Sequence, residues 1–97
     1  MLTSKQRAQL RGMANGYDTI FQIGKAGIND HLIRQVDETI EVRELIKLRI
    51  LESAPEDVRT TAEKIAAATK SDVVQVIGSI FILYRKSKEN PKIELVK

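Results

Sequence analysis

The chain has 97 residues, of which 42% are hydrophobic and 30% charged, a composition typical of one globular domain. It contains no cysteine and a single histidine, His31, so disulfides, thiolate metal sites and histidine-built metal centres within one chain are excluded. No apolar run approaches the ~18 residues of a membrane span, and the first residues lack a signal-peptide core, so we expect no membrane segment.

The first elements are a helix and a short strand. Thr3 and Gln6 have the spacing of a capping box, which predicts a helix from Thr3 to a left-handed stop at Asn15-Gly16. The β-branched and aromatic run at 19–23 predicts a short strand, which the glycine-rich segment 24–27 ends.

A second helix and a second strand follow. Asn29 is a good N-cap, and apolar residues then recur every four positions, as in an amphipathic helix. These apolar residues are Ile28, Leu32, Val36 and Ile40. Apolar residues alternate with Lys47 and Arg49 over 45–51, which predicts a strand with one buried face and one charged, solvent-facing side.

A third helix and a hairpin complete the pattern. Ser53, with Glu56 at the capping-box position and Pro55 in the first turn, predicts the start of the third helix. Two apolar runs separated by Gly78-Ser79 predict a hairpin over 73–84. Their apolar residues are nearly continuous, so we expect at least one of these strands to be central.

The order helix, strand, helix, strand, helix, strand, strand predicts the architecture. We expect an α/β (α+β) domain of two layers, with three helices on a four-stranded mixed sheet. Parallel neighbours joined by right-handed crossovers and one antiparallel strand from the hairpin would form this sheet. Residues 1–86 are predicted to form the single domain, and residues 87–97 a basic C-terminal tail with a short extended piece at 93–96.

The modest net charge of +3 is unevenly distributed along the chain. Residues 1–27 carry a net charge of +3, residues 28–84 of −3 and residues 85–97 of +3. If the two basic ends meet in the fold, they form a positive face that attracts polyanions, because weak attractions to many phosphates add up. The alternative is that both ends are merely solvated and serve solubility.

Catalytic groups are sparse. His31 lies in the first turn of the second helix, where the positive helix end disfavours an imidazolium and hence a proton shuttle. The serines match no nucleophile-elbow pattern. The acids of the second helix are typical of a solvated face rather than of a divalent-ion site. We therefore expect no enzyme, no metal and no cofactor.

The glycine-bracketed segment before the second helix is the local feature with a mechanism. Gly24, Lys25, Ala26 and Gly27 form a G-x-x-G loop, in which glycines let the backbone approach a ligand closely. The helix end behind it adds unpaired N–H groups and Lys25 adds a full positive charge, so a sugar–phosphate backbone fits this loop. The alternative is that the glycines only end a strand and begin a helix.

Four motifs, in the same order as here, resemble the CRM domain, whose single-domain bacterial members are the YhbY-type proteins. The resemblance covers residues 1–86 and includes the first helix. Its motifs are Phe21-Gln22-Ile23-Gly24-Lys25-Ala26-Gly27-Ile28, Glu44-Leu45-Ile46-Lys47-Leu48-Arg49, Val76-Ile77-Gly78 and Leu83-Tyr84-Arg85.

This resemblance implies an RNA-binding module with a fold similar to the C-terminal domain of bacterial translation initiation factor three. It also implies a protein associated with precursors of the large ribosomal subunit. The absence of cysteine is compatible with the cytoplasmic location that we expect. The family's G-x-x-G loop falls on residues 24–27 and its Leu-Tyr-Arg strand on residues 83–85. In the KH module a similar loop joins two helices, whereas here it joins a strand to a helix, so any shared RNA geometry is an analogy.

The candidate RNA contacts are the four loop residues and six cations. Lys25 is the first candidate for a phosphate contact, and the cations are ranked after it as Arg7, Arg11, Lys5, Arg85, Lys86 and Arg34. Each could instead be a solvated surface charge, and Arg34 could pair with Asp30 or Glu38. Phe21 and Phe81 are predicted to lie in the core, and only Tyr17 or Tyr84 could stack on a base.

We therefore expect a monomer that binds the backbone of structured RNA and reads its shape more than its sequence. With ~5 phosphates neutralised, log K would fall with log salt at a slope of about −3.5. A bulky residue at Gly24 or Gly27 would weaken RNA binding more than it lowers the melting temperature. The alternative function is a protein–protein adaptor that docks on a ribosomal protein or assembly factor through the acidic second helix or a sheet face.

Overall fold

The computed structural model describes residues 2–97. Its helices and strands follow the predicted order. They are α1 (Ser4–Ala14), β1 (Phe21–Ile23), α2 (Asp30–Arg43), β2 (Leu45–Ile50), α3 (Val58–Thr69), β3 (Asp72–Ile77) and β4 (Ile80–Tyr84).

The four strands form one mixed sheet in the order β1-β2-β4-β3. β1 and β2 are parallel neighbours joined through α2, as the sequence predicts. β2 and β3 are not neighbours, because β4 lies between them and is antiparallel to both. β4 takes this inner position because four of its five residues are buried, so both of its faces need cover.

The sheet is covered on both faces, so the predicted two-layer arrangement is wrong. On one face α2 and α3 pack against alternate strand residues such as Leu48, Phe81 and Leu83. On the other face α1 packs against the residues between them, such as Ile82 and Tyr84. The physical reason is the strand period of two, which gives β4 an apolar side chain on each face in turn.

The predicted helix starts at Thr3 and Asn29 are confirmed. The Thr3 hydroxyl accepts the Gln6 N–H at 3.1 Å while the Gln6 side chain accepts the Thr3 N–H at 3.0 Å. The Asn29 side chain accepts the Leu32 N–H at 2.8 Å. Both caps satisfy helix N–H groups that would otherwise lack partners.

Two other helix ends differ from the prediction. α3 begins at Val58 instead of near Ser53, because the Asp57 carboxylate caps it by accepting the Thr60 N–H at 2.7 Å. α1 ends at Ala14 with Asn15 as its C-cap, but Asn15 has a right-handed φ of −55° rather than a left-handed one. The side chain of Lys47 caps this end instead, since its Nζ lies 3.2 Å from the Ala14 carbonyl.

Residues 87–97 contain no helix or strand but are attached to the domain. The carboxylate of Glu44 is completely buried and accepts the N–H groups of Ser87, Lys92 and Ile93 at 2.8, 2.7 and 2.9 Å. The side chain of Gln9 in α1 bonds the backbone further along this segment, at the Glu94 carbonyl and the Val96 N–H. The segment thus runs along one flank of α1, at the end of the sheet where β2 begins.

Candidate nucleic-acid interface

The segment 24–27 is a tight turn at the end of β1. Its N–H to C=O bond, from Gly27 to Gly24, is 2.9 Å long. Lys25 and Ala26 form the exposed tip of this turn, just before α2. The turn therefore presents one lysine and a short side chain to solvent.

The two glycines of this turn have different roles. Gly27 is buried and has a φ of +64°, a conformation that favours glycine. A Cβ added at Gly27 would lie 2.8 Å from Cγ of Pro55, in the loop that precedes α3. A Cβ added at Gly24 would lie 3.4 Å from the side chains of Leu51 and Ser53, at the edge of ordinary contact. Gly27 thus lets the two loops pack together, which holds the turn in place.

Arg85 lies inside the protein rather than on a binding face. Its guanidinium bonds the Asp37 carboxylate at 2.6 Å, the Thr69 carbonyl at 2.7 Å and the Glu41 carboxylate at 3.4 Å. Its side chain is only 13% exposed. Arg85 therefore joins the end of β4 to α2 and α3, and two carboxylates neutralise its charge.

Arg85 and Lys86 are also far from the glycine turn. β4 begins opposite Arg49, at the end of the sheet where the glycine turn follows β1. It ends opposite Leu45, at the other end of the sheet. A strand of this length spans about 15–20 Å. Lys86 is exposed, but the fold does not bring it together with Lys25.

Arg7 holds α1 to the sheet. Its Nη1 donates to the carbonyls of Val73 and Val74, where the pairing of β3 with β4 is irregular. No carboxylate of residues 2–97 pairs with Arg7, so its charge is not neutralised. Arg11 lies one turn further along the same flank and is half-buried, while Lys5 is exposed.

The two faces of the sheet differ in their balance of acids and cations. α1, β1, β2 and β4 contain no aspartate or glutamate, and β3 contains only Asp72. On the other side of the sheet, which we call the acidic side, α2 and α3 contain the acids Asp30, Asp37, Glu38, Glu41 and Glu63 together with the cations Arg34, Arg43, Arg59 and Lys64. The α1 side therefore has an excess of positive charge, whereas acids and cations nearly balance on the acidic side.

We call the basic side the α1-side surface, formed by Lys5, Arg7, Arg11, Lys47 and Arg49. Lys47 belongs to it because its Nζ bonds α1, and Arg49 because it follows two residues later in β2. Lys47 and Arg49 are not among the RNA contacts that the sequence suggests. The alternation of apolar and basic residues in β2 does predict one charged face. Nothing in the local sequence, however, distinguishes a face that binds RNA from one that is merely solvated.

Arg34 lies on the acidic side, in α2. It is exposed and forms no ion pair with Asp30 or Glu38 within the described chain. The structure thus separates the candidates into three groups: the glycine turn, the α1-side surface, and the remaining cations at the far end or on α2.

The aromatic residues fit a core role with one exception. Phe81 is buried and Phe21 packs against the same core, as predicted. Tyr84 is also buried, and burial together with the charges of Glu44 and Asp72 raises the pKa of its phenol. Tyr17 is 40% exposed, so it alone of the two tyrosines is accessible for stacking.

Residues 2–97 contain no group of three His, Cys, Asp or Glu side chains that could hold a metal ion. Within the same range no helix is long and apolar enough to cross a membrane.

Comparisons with known proteins agree on one family. Residues 2–85 match the CRS1 / YhbY (CRM) domain. The chain is 46% identical over 95 residues to the Bacillus subtilis protein named "Probable RNA-binding protein YqeI", covering 98% of this chain and 99% of that one. It is 31% identical to a Haemophilus influenzae protein named "RNA-binding protein", covering 97% and 94% of the two chains.

A solved structure supports the same fold. The solution structure of protein SAV1595 from Staphylococcus aureus, described provisionally as RNA-binding, superimposes with a TM-score of 0.82 at 52% sequence identity. The match covers 99% of this chain and 100% of that one. The α+β fold of three helices and a four-stranded mixed sheet is therefore shared with this neighbour.

Proposed function

Because this chain belongs to the CRS1/YhbY (CRM) domain family, we propose that it is an RNA-binding protein that acts on precursors of the large ribosomal subunit. It binds ribosomal RNA as a monomer in the cytoplasm and needs no cofactor. Both curated relatives described above carry RNA-binding names, which supports RNA as the partner. The resemblance of its motifs to the family's single-domain members supports ribosomal RNA as the kind of RNA bound.

The observation that carries this proposal is the excess of positive charge on the α1 side of the sheet. A cation whose charge no carboxylate neutralises can attract a phosphate, whereas a cation held in an ion pair, such as Arg85, cannot. The α1-side surface holds five cations on elements without acids. RNA is thus expected on this side, with Lys25 at its end.

The mechanism is recognition of the RNA backbone by a rigid surface. The turn holds Lys25 at the N-terminal end of α2, where a phosphate meets both the ammonium group and the positive end of the helix. Arg11 and Arg49 contact further phosphates. Backbone contacts carry little sequence information, so binding depends mainly on RNA shape.

Binding of a large-subunit ribosomal RNA fragment to the purified protein, measured by fluorescence anisotropy at several salt concentrations, tests this. Lys25→Ala is expected to weaken binding and to make the salt slope about 0.7 less steep, the value for one lost phosphate contact. Lys64→Ala is the control and should leave binding unchanged, because it removes an exposed lysine of α3 whose charge Glu56 already neutralises at 2.6 Å. Equal effects of the two variants, or binding that ignores salt, would refute the mechanism.

Crosslinking in cells followed by sequencing of the attached RNA tests the ribosomal partner. Recovery of large-subunit ribosomal RNA supports the proposal. Partners that survive nuclease treatment and depend on α2 would instead favour the adaptor. That alternative has less exposed surface than the sequence predicts, because Glu41 bonds Arg85 and the backbone of residues 88 and 89.

A further inference from the structure

A groove lies beside the short edge strand β1, away from the glycine turn. It has a volume of about 530 Å³ and lies between the α1–β1 loop, the end of α2 and the tail. Tyr17 and Ile20 line it from the loop, Val42 and Arg43 from α2, and Lys92 from the tail. Leu45 of β2 also lines it.

The groove exists because β1 is shorter than β2. β1 pairs with β2 only from Leu48 to Ile50, so the first residues of β2 have no strand beside them. The chain before β1 makes a single backbone bond to this part of β2, from the Ile20 N–H to the Lys47 carbonyl at 2.9 Å, while the Lys47 ammonium donates to the Ala14 and Tyr17 carbonyls.

The backbone of Leu45 faces this open edge. Just before β2, the Glu44 carbonyl accepts the Arg85 N–H, and at the end of β2 the Ile50 N–H donates to the Ser79 carbonyl, both towards the β4 side. Because backbone groups alternate between the two sides of a strand, the N–H and C=O of Leu45 point away from β4. One donor and one acceptor thus have no strand partner at the floor of the groove, where Leu45 is only 1% exposed. Buried backbone groups of this kind normally have partners.

The side chains around the groove are apolar at its walls and basic at its rim. Val42 is 63% exposed, and Tyr17 and Ile20 are also exposed. Arg43 and Lys92 form no ion pair with residues 2–97. The one acid of the lining, Asp18, lies in the loop next to Tyr17, so a phosphate is expected on the Arg43 and Lys92 side.

We propose that this groove binds one unpaired nucleotide of the RNA that the protein recognises. The base packs on Tyr17 and Val42, its edge exchanges hydrogen bonds with the backbone of Leu45, and its phosphate lies near Arg43 and Lys92. This inference rests on the proposed function and deepens it, because it adds an unpaired nucleotide to a shape-dependent mode of binding. Loops and bulges of RNA supply such nucleotides.

The geometry favours a nucleotide over an added peptide strand. The open edge offers the two backbone groups of Leu45 and the N–H of Lys47, since the Lys47 carbonyl is already bonded. Such a short edge supports few of the ladder bonds on which peptide strand addition depends. A base edge needs only a neighbouring donor and acceptor, and its flat surface suits an aromatic wall.

Two RNA hairpins that differ by a single bulged nucleotide test the inference. The wild-type protein is expected to bind the bulged hairpin about 5- to 100-fold more tightly than the fully paired one, the range for stacking of one base. Tyr17→Ala and Val42→Glu should abolish this preference while retaining binding to the paired hairpin. Tyr17→Phe, which keeps the aromatic wall, should retain the preference.

A titration with adenosine, cytidine, guanosine and uridine monophosphates, followed by NMR, locates the site. The methyl signals of Ile20 and Val42 should shift with at least one of them. The inference would be overturned if the preference for the bulged hairpin survived both Tyr17→Ala and Val42→Glu. It would also be overturned if an acidic peptide, titrated in the same way, shifted these methyl signals and no nucleotide did. Equal binding of both hairpins by the wild type would sink this inference alone, whereas binding of neither would also refute the proposed function.

Discussion

Gly24 and Gly27 bracket the same turn but tolerate different substitutions. Gly27 combines a left-handed backbone with a Pro55 ring at 2.8 Å from any added Cβ, whereas Gly24 has neither constraint. From the sequence we expected a bulky residue at either glycine to weaken RNA binding more than it lowers stability. The structure no longer favours this expectation for Gly27. For Gly27 the structure favours a structural role, because a side chain would strain the backbone and displace the loop before α3.

We predict that Gly27→Ala lowers the free energy of unfolding by about 1–3 kcal/mol, through backbone strain and the Pro55 clash. Gly24→Ala should change it by no more than about 0.5 kcal/mol, as at an ordinary surface position. Urea denaturation of both variants measures the difference. A Gly27→Ala protein as stable as the wild type would show that Pro55 moves aside without cost.

Arg85 illustrates how a sequence-based assignment fails at a single residue. A cation after a strand in a basic segment resembles an RNA contact, and only the fold shows that α2 brings Asp37 and Glu41 to it. Those carboxylates lie 48 and 44 residues away along the chain. No local pattern encodes such a distant partner.

We expect Arg85→Ala to destabilise the protein by about 1–3 kcal/mol, because it leaves two carboxylates and the Thr69 carbonyl without their partner. RNA affinity of the folded protein should stay unchanged. Thermal unfolding and anisotropy, measured on the same sample below its melting temperature, separate the two effects. A loss of affinity without a loss of stability would return Arg85 to the RNA-binding surface.

Among the elements, the tail depends on one buried carboxylate. Burial opposes ionisation of Glu44, but the N–H bonds from Ser87, Lys92 and Ile93 outweigh it and hold its pKa below the ordinary range. The pKa of Glu41 is lowered as well, first by the Ser87 hydroxyl, against an opposing effect of burial, and then by backbone N–H groups of the tail. Attachment of the tail is thus coupled to the ionisation of both acids.

A pKa that is lower in the folded state means that the charged form stabilises the fold. This contribution is complete above the ordinary glutamate value of about 4.3 and is lost as the pH falls through the lower folded value. We predict that the amides of Ser87, Lys92 and Ile93 lose protection from hydrogen exchange in that acidic range before the sheet does. Glu44→Gln should show the same loss at neutral pH. Simultaneous loss of protection in tail and sheet would contradict a separate attachment.

Local signals predicted most elements but not their ends or their packing. The caps at Thr3 and Asn29 were correct because each acts within four residues of its own helix. Ser53 was a wrong start because Asp57 offers a stronger acceptor and the intervening loop packs on Gly27. The attachment of the tail could not be predicted, since it requires a carboxylate that is buried only after folding.

Over the whole molecule, the sequence predicted a positive face from the charge of the two chain ends, and the fold forms that face differently. The α1 part is present, and the end of the tail lies along α1, but Arg85 is held in an internal ion pair and Lys86 lies at the far end of the sheet. β2 contributes Lys47 and Arg49 in their place. The net charges of successive chain segments could not show the contribution of β2, because in a strand alternate residues lie on opposite faces of the sheet.

The α1-side surface therefore makes a prediction about groups of charges. Removing Arg11 and Arg49 together should change the salt slope of RNA binding from about −3.5 to about −2, because each lost phosphate contact contributes about 0.7. Arg34→Ala with Lys64→Ala removes the same charge from α2 and α3 and should leave the slope near its original value. The net charge falls by the same amount in both double variants. A difference between their salt slopes therefore reports the contribution of the α1-side surface and not that of the total charge. Equal slopes in the two double variants would mean that RNA responds only to total charge, and the assignment of one binding face would then be wrong.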